Sequence, residues 1–106
     1  MITDERMETA LRYLVDTDNL SGDLKAEVAR KEYAAKLARA RIFLTSEGSV
    51  EARKAQAEVS ADVQAAEEEL AKAIVADTRT QARRKTEVLV IDTWRSQNAN
   101  RRVGNL

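Results

Sequence analysis

The chain has 106 residues, of which 34% are charged and only 4% aromatic, with three glycines and no proline, cysteine or histidine. Lysine and arginine balance aspartate and glutamate at 18 each, so net charge gives no reason to expect a nucleic-acid-binding protein. Without cysteine and histidine the common nucleophiles, bases and soft metal ligands are missing. We therefore expect no enzyme: no catalytic residue, no cofactor, no metal site and no small-molecule substrate.

The sequence predicts two helices in the first half of the chain. Thr3 or Asp4 caps the first, over residues 4–15, which carries an apolar stripe of Met7, Ala10, Leu11, Leu14 and Val15. The polar run 16–19 then predicts a break. A second helix over residues 19–46 follows, with apolar residues at helical spacing and many alanines among them.

The second half predicts a corner and one long helix. Gly48 suits the left-handed residue that ends a helix, and Ser49 can cap a short helix over residues 50–58. Ser60 then begins a helix over residues 61–100, which is about 60 Å long at the usual rise per residue. The prediction is a single all-α domain over residues 1–106: a long, coiled-coil-like antiparallel helical hairpin with the short N-terminal helix packed on its open end.

An apolar run lies within the predicted long helix. Four consecutive residues of a helix cover all its sides, so this run should touch more than one neighbour. A chain this small cannot cover it completely, which predicts a homodimer or a higher oligomer. The candidate interface is Val88, Leu89, Val90 and Ile91, although the same residues could instead form the core. Trp94, a few residues later, is predicted to be buried and structural.

Charge is unevenly distributed along the chain. Residues 1–23 carry six acidic and two basic side chains, whereas residues 77–106 carry seven basic and three acidic ones. Basic side chains late in a helix favour its dipole, and they can also bind phosphate or a partner protein. The candidate contacts for a partner or for DNA are Arg79, Arg83, Arg84, Lys85, Arg95, Arg101 and Arg102.

The sequence also carries expectations about location. No apolar run approaches the 18 residues of a membrane span, and the acidic start (Thr3, Asp4, Glu5) is unlike a signal peptide. We therefore expect no membrane association and a cytoplasmic protein.

Three separate segments of the chain form a recognisable series. They are residues 10–18 (ALRYLVDTD), residues 43–51 (FLTSEGSVE), and Trp94–Arg95 together with residues 100–105 (NRRVGN). The series resembles small all-helical proteins encoded in the early region of tailed bacteriophages and prophages. The resemblance spans nearly the whole chain and implies a bacterial host cytoplasm. It also implies a link to DNA recombination or replication, because genes of that kind lie nearby in such genomes.

Three functions are compatible with these features. The first is a non-enzymatic, phage-encoded accessory protein that binds proteins of DNA recombination or replication. The second is a direct DNA-binding protein that uses the C-terminal arginines. The third is a phage structural or assembly protein. We expect the protein partner to be the correct one, because no aromatic residue other than Trp94 lies among the arginines.

Overall fold

The computed structural model describes residues 1–104, which form four α-helices and no strand. They are α1 (Asp4–Asp16), α2 (Asp18–Thr45), α3 (Val50–Val59) and α4 (Ala61–Gly104). The predicted all-α fold, a long antiparallel helical hairpin with a short N-terminal helix, is confirmed. Helix ends lie within one residue of the expected positions, except that α4 continues to Gly104. Of the segments carrying the family resemblance, Asn105 lies outside the described residues.

Local side-chain chemistry sets the helix ends. The Thr3 side chain accepts a hydrogen bond from the Arg6 backbone N–H, and that of Ser49 accepts one from Ala52. Each satisfies an amide that has no partner within its own helix. Gly48 has a φ of 110°, a backbone conformation that favours glycine, and it separates α2 from α3.

The described chain divides into two compact units, and α2 and α4 run through both. Unit 1 contains Met1–Gly22 and residues 78–104, and unit 2 contains Asp23–Asp77. In unit 1, α1 lies antiparallel to the C-terminal part of α4. Three contacts establish this direction: the Ile2 N–H donates to Gln97, Arg6 pairs with Glu87, and Arg84 donates to the Leu14 carbonyl.

Unit 2 contains the corner of the hairpin. Arg39 on α2 forms ion pairs with Glu58 on α3 and Glu67 on α4, so one guanidinium joins three helices. Arg53 on α3 donates to the Phe43 carbonyl and lies 4.6 Å from the centre of the Phe43 ring. These contacts hold α3 across the ends of α2 and α4.

Small residues make up the buried apolar positions. They are Ala10 in unit 1, and Ala35, Ala57, Val63 and Ala73 in unit 2. Alanine lets two helix backbones approach closely but buries little surface. Large apolar side chains therefore remain at the surface, among them Leu44 (73% exposed) and Val59 (74% exposed). None of the helices in residues 1–104 has both the length and the apolar content needed to cross a membrane.

The prediction that Trp94 is buried is wrong. Its side chain is half-buried, and its ring N–H donates to a carboxylate oxygen of Asp4 at 2.8 Å. The reason is that only α1 packs beside this part of α4 within unit 1. A single neighbouring helix covers one side of the indole and leaves the other side accessible.

Candidate functional site

The apolar run on α4 is divided between two environments. Val90 and Ile91 are half-buried, whereas Val88 is 45% exposed and Leu89 65% exposed. The sequence left open whether this run is core or interface. Val90 and Ile91 belong partly to the core, whereas Val88 and Leu89 do not. Leu89 and Val88 are surface residues within unit 1, and they are available for contact with another molecule.

Apolar residues of α1 extend this surface. Leu14 shares an open depression with Val88 and Leu89, and Leu11 and Val15 line a second depression on α1. Leu11 lies one helical turn from both Leu14 and Val15. We refer to these five residues (Leu11, Leu14, Val15, Val88 and Leu89) as the apolar face.

Arg84, predicted to contact a partner, is instead a structural residue of unit 1. Its Nη1 donates to the Leu14 carbonyl at 2.9 Å and to the Thr17 hydroxyl at 2.6 Å. Its Nη2 donates to Asp18 at 3.2 Å, and only 18% of the side chain is exposed. These groups lie at the end of α1 and the start of α2. Arg84 thus donates hydrogen bonds to oxygen atoms at the break between α1 and α2, and few of its donors remain for a ligand.

Arg83, also predicted to contact a partner, is engaged in a similar way. Its Nε donates to Glu87 at 3.1 Å, and its guanidinium carbon lies 4.5 Å from the centre of the Tyr13 ring. A cation over an aromatic face is attracted to it, so the contact ties α4 to α1. The side chain is 57% exposed, but its preferred position is already set by Tyr13 and Glu87.

Sequence reasoning missed a buried carboxylate beside this arginine. Glu87 is 1% exposed and forms two contacts with Arg6: Nη1 to Oε2 at 2.7 Å, and Nη2 to Oε1 at 3.0 Å. No other described residue provides a hydrogen bond to that Nη1 or that Oε2. A signal was present in the sequence. Glu87, Ile91 and Trp94 follow the i, i+4, i+7 spacing of one helix face, which places the carboxylate on the side that packs against α1.

The pKa of Glu87 reflects these contacts. Hydrogen bonding from Arg6 lowers the pKa of the Glu87 carboxyl from its usual value, burial opposes the shift, and Arg83 adds to it. The same hydrogen bond raises the pKa of Arg6. Glu87 is therefore a charged, paired structural group rather than a proton donor or acceptor poised near neutral pH.

The last turns of α4 carry a surface depression lined by both charged and aromatic residues. It contains Arg95, Arg101 and Arg102 together with Trp94, Asn98, Ala99 and Asp4. Arg95 is 71% exposed and reaches Asp92 only at 3.8 Å, and Arg101 reaches the sulfur of Met1. We refer to Arg95, Arg101, Arg102, Trp94 and Asn98 as the C-terminal arginine surface.

The remaining two candidate basic residues lie away from that surface. Arg79 and Lys85 are exposed, and Lys85 borders the depression that holds Leu14, Val88 and Leu89. On a straight helix Arg79 and Arg101 are about 33 Å apart, at 1.5 Å per residue. The seven predicted contacts therefore do not form one patch: two are structural, two are isolated and three lie together.

Nothing in the described chain suggests a metal centre. No group of three or more Asp, Glu, His or Cys side chains within residues 1–104 is placed to hold an ion. Comparisons with protein-family models, with curated proteins and with solved structures find no match to this chain.

Proposed function

We propose that this chain is a non-enzymatic helical accessory protein that binds a partner protein through the C-terminal arginine surface. One observation carries the proposal. Arg95, Arg101 and Arg102 line a depression beside the exposed side of Trp94. Arginine and tryptophan are the residue types that most often dominate binding energy at protein interfaces. A partner that fits this surface presents carboxylates to the arginines and an apolar side chain to the indole.

The resemblance to phage early-region proteins supports a narrower form of the proposal. It points to a partner among the proteins of DNA recombination or replication in a bacterial host cell. A partner that presents acidic side chains would complement the clustered arginines, because opposite potentials across an interface favour association.

The size of the surface favours protein over DNA. Its three arginines span residues 95–102, about 10 Å along the helix. Asp4 lines the same depression and Asp92 lies beside Arg95, so the positive potential is partly offset. Three phosphate contacts give a weak, salt-sensitive association, because affinity for duplex DNA scales with the number of phosphates neutralised.

The experiment is capture followed by direct binding. Tagged chain is used to capture a protein from lysate of infected cells, and the captured protein is then purified and titrated. We expect the variant Arg101→Ala/Arg102→Ala to bind at least tenfold more weakly, with unchanged helicity by circular dichroism. Arg79→Ala is the matched control, because it removes an exposed arginine of the same helix outside the surface. If wild type and both variants bound the captured protein with equal affinity, the proposal would be contradicted.

Direct DNA binding is the second candidate, and the half-exposed indole favours it specifically. An aromatic face beside arginines is how single-stranded nucleic acid is held without sequence preference. If this function is correct, affinity for an oligonucleotide falls with salt, by a log–log slope of about −0.7 for each phosphate contacted on a single strand. Replacing Arg101 and Arg102 by alanine then flattens the slope by about one to two units. We expect weak or absent binding at physiological salt.

A further inference from the structure

The apolar face is a surface without a neighbour in unit 1. Leu11, Val15 and Leu89 are each at least half exposed, at 50%, 68% and 65%. Ala10 is the one apolar residue that is fully buried among residues 1–22 and 78–104. Two helices side by side bury only the line where they touch, so apolar side chains on one flank remain in water. Contiguous exposed apolar residues of this kind mark an interaction surface.

The two helices that carry this face have opposite charge. α1 carries four carboxylates and two arginines, whereas residues 78–104 of α4 carry seven cationic side chains and two carboxylates. Next to the apolar residues the contrast is smaller but has the same sign. Glu8, Asp16 and Arg12 border Leu11 and Val15, whereas Arg84 and Lys85 border Val88 and Leu89. A molecule that covers the face should therefore place positive charge over α1 and negative charge over α4.

We propose that a second copy of this chain covers the apolar face, with α1 of each copy lying against α4 of the other. The symmetry is a two-fold axis parallel to the helices of unit 1. Such an axis leaves each residue at the same height, meaning the same position along the helix axes, in both copies. It places α1 of one copy over α4 of the other. The product is an antiparallel four-helix bundle, the usual way in which a two-helix layer acquires a core.

Charge selects this arrangement over the other two-fold dimer. An axis perpendicular to the helices would place α1 on α1 and α4 on α4, bringing carboxylates against carboxylates and cations against cations. The parallel axis pairs acidic α1 with basic α4 twice in each dimer. Opposite potentials across an interface favour association, whereas like charges placed face to face oppose it.

The register within unit 1 identifies the residues that meet. Arg84 contacts the Leu14 carbonyl and the Asp18 side chain, so the end of α1 and the start of α2 lie level with Arg84. Because the axis preserves height, Leu11 of one copy lies level with Val88 and Leu89 of the other. This assigns the apolar contact to three positions.

The first test is sedimentation equilibrium at micromolar concentration, where we expect twice the chain mass of 11.8 kDa. Leu89→Glu should convert the dimer to monomer without loss of helicity, since the side chain is already exposed within unit 1. Val59→Glu is the matched control: Val59 is a similarly exposed apolar residue on α3, in unit 2, and its replacement should leave the dimer intact. A monomeric wild type, or a dimer unaffected by Leu89→Glu, would overturn the proposal.

The second test distinguishes the two orientations by salt. Pairing of acidic α1 with basic α4 should make self-association weaken as the salt concentration rises, because salt screens attraction between opposite charges. The perpendicular axis would bring like charges together, so self-association that strengthens with salt would exclude the proposed arrangement.

The dimer proposal does not rest on the proposed function. Neither Leu11 nor Leu89 belongs to the C-terminal arginine surface, and no variant used for the one test is used for the other. Failure to dimerise would leave the effect of Arg101→Ala/Arg102→Ala on partner binding fully interpretable. Loss of the partner interaction would likewise leave the sedimentation result intact.

Discussion

Arg6 and Glu87 are 81 positions apart in the chain, yet they form a two-pronged contact with distances of 2.7 and 3.0 Å. Arg6 lies on α1 and Glu87 near the middle of the part of α4 that belongs to unit 1. The carboxylate is almost completely buried, whereas 39% of the arginine side chain is exposed. The pair therefore fixes the height of α1 along α4, because a buried carboxylate that loses its cation is strongly disfavoured.

This asymmetry predicts unequal effects of removing either partner. Arg6→Met should destabilise unit 1 clearly, because it leaves Glu87 buried with Arg83 as its remaining ionic partner. The double variant Arg6→Met/Glu87→Leu should recover much of the loss, since apolar residues then fill the same space. Urea unfolding of the single and double variants provides the measurement, with Arg41→Met on the exposed surface of α2 as the control. A double variant that is less stable than Arg6→Met would contradict the account.

The same carboxylate predicts a dependence of stability on pH. Hydrogen bonding from Arg6 lowers the folded-state pKa of Glu87 below the ordinary value of 4.5. A lowered pKa stabilises the fold at pH values above 4.5, and that contribution is lost as the pH falls through the folded-state value. Glu27 and Glu58 in unit 2 have lowered pKa values as well, so they share the effect.

Glu87→Gln isolates the contribution of this residue. The variant should be less stable than wild type at neutral pH and should lose less free energy of unfolding between neutral pH and the acid range. Denaturant unfolding at several pH values measures both. Glu8→Gln, an exposed position on α1, serves as the control and should follow the wild-type curve. Parallel curves for wild type and Glu87→Gln would show that Glu87 does not contribute to acid sensitivity.

Trp94 should behave as a half-buried residue. Trp94→Ala should cost about 2 kcal/mol, less than the roughly 3–5 kcal/mol typical of large aromatics in a core. Its fluorescence maximum should lie between those of buried and fully solvated tryptophan, and it should shift when Asp4→Asn alters the partner of the indole N–H. An emission maximum typical of a fully buried indole would contradict the structure.

Two adjacent alanines should respond differently to enlargement. Ala35 is 2% exposed, and Ala34 beside it on α2 is exposed. Ala35→Leu should cost about 1–3 kcal/mol, because extra methylenes in a packed contact force neighbouring atoms to move. Ala34→Leu should change stability by less than about 0.5 kcal/mol, as is usual for surface substitutions. Thermal and urea unfolding compare the two variants. Similar losses of stability would contradict the orientation of α2, in which Ala35 faces inward and Ala34 faces solvent.

Two glycines should give opposite signs on replacement by alanine. Gly48 has a positive φ, and an added Cβ would lie 3.4 Å from that of Ala52, so Gly48→Ala should cost about 1 kcal/mol or more. Gly22 lies within α2 and an added Cβ meets nothing within 4 Å. Gly22→Ala should stabilise the protein by about 0.5–1 kcal/mol, because alanine favours the helix and restricts the unfolded chain. Comparison of the unfolding midpoints of the two variants with that of wild type tests both signs.

The positions of the four helices were largely readable from the sequence. Thr3, Gly48, Ser49 and Ser60 mark ends and starts by chemistry that acts within three or four residues, so a linear reading can detect it. The sequence did not predict that α4 continues from residue 100 to Gly104. The polar run there has no apolar stripe that would indicate a helix, and no proline or early glycine that would mark where the helix ends.

The roles of individual side chains depended on the tertiary structure. Arg84 and Arg101 look alike in the sequence, but Arg84 meets a carbonyl 70 positions away, whereas Arg101 lies at an open end of α4. Periodicity shows which residues share a helix face, but it does not show the height at which another helix crosses that face. The register of α1 on α4 sets that height, and it alone determines that Glu87 is buried, that Arg83 and Arg84 are engaged, and that Leu89 remains exposed.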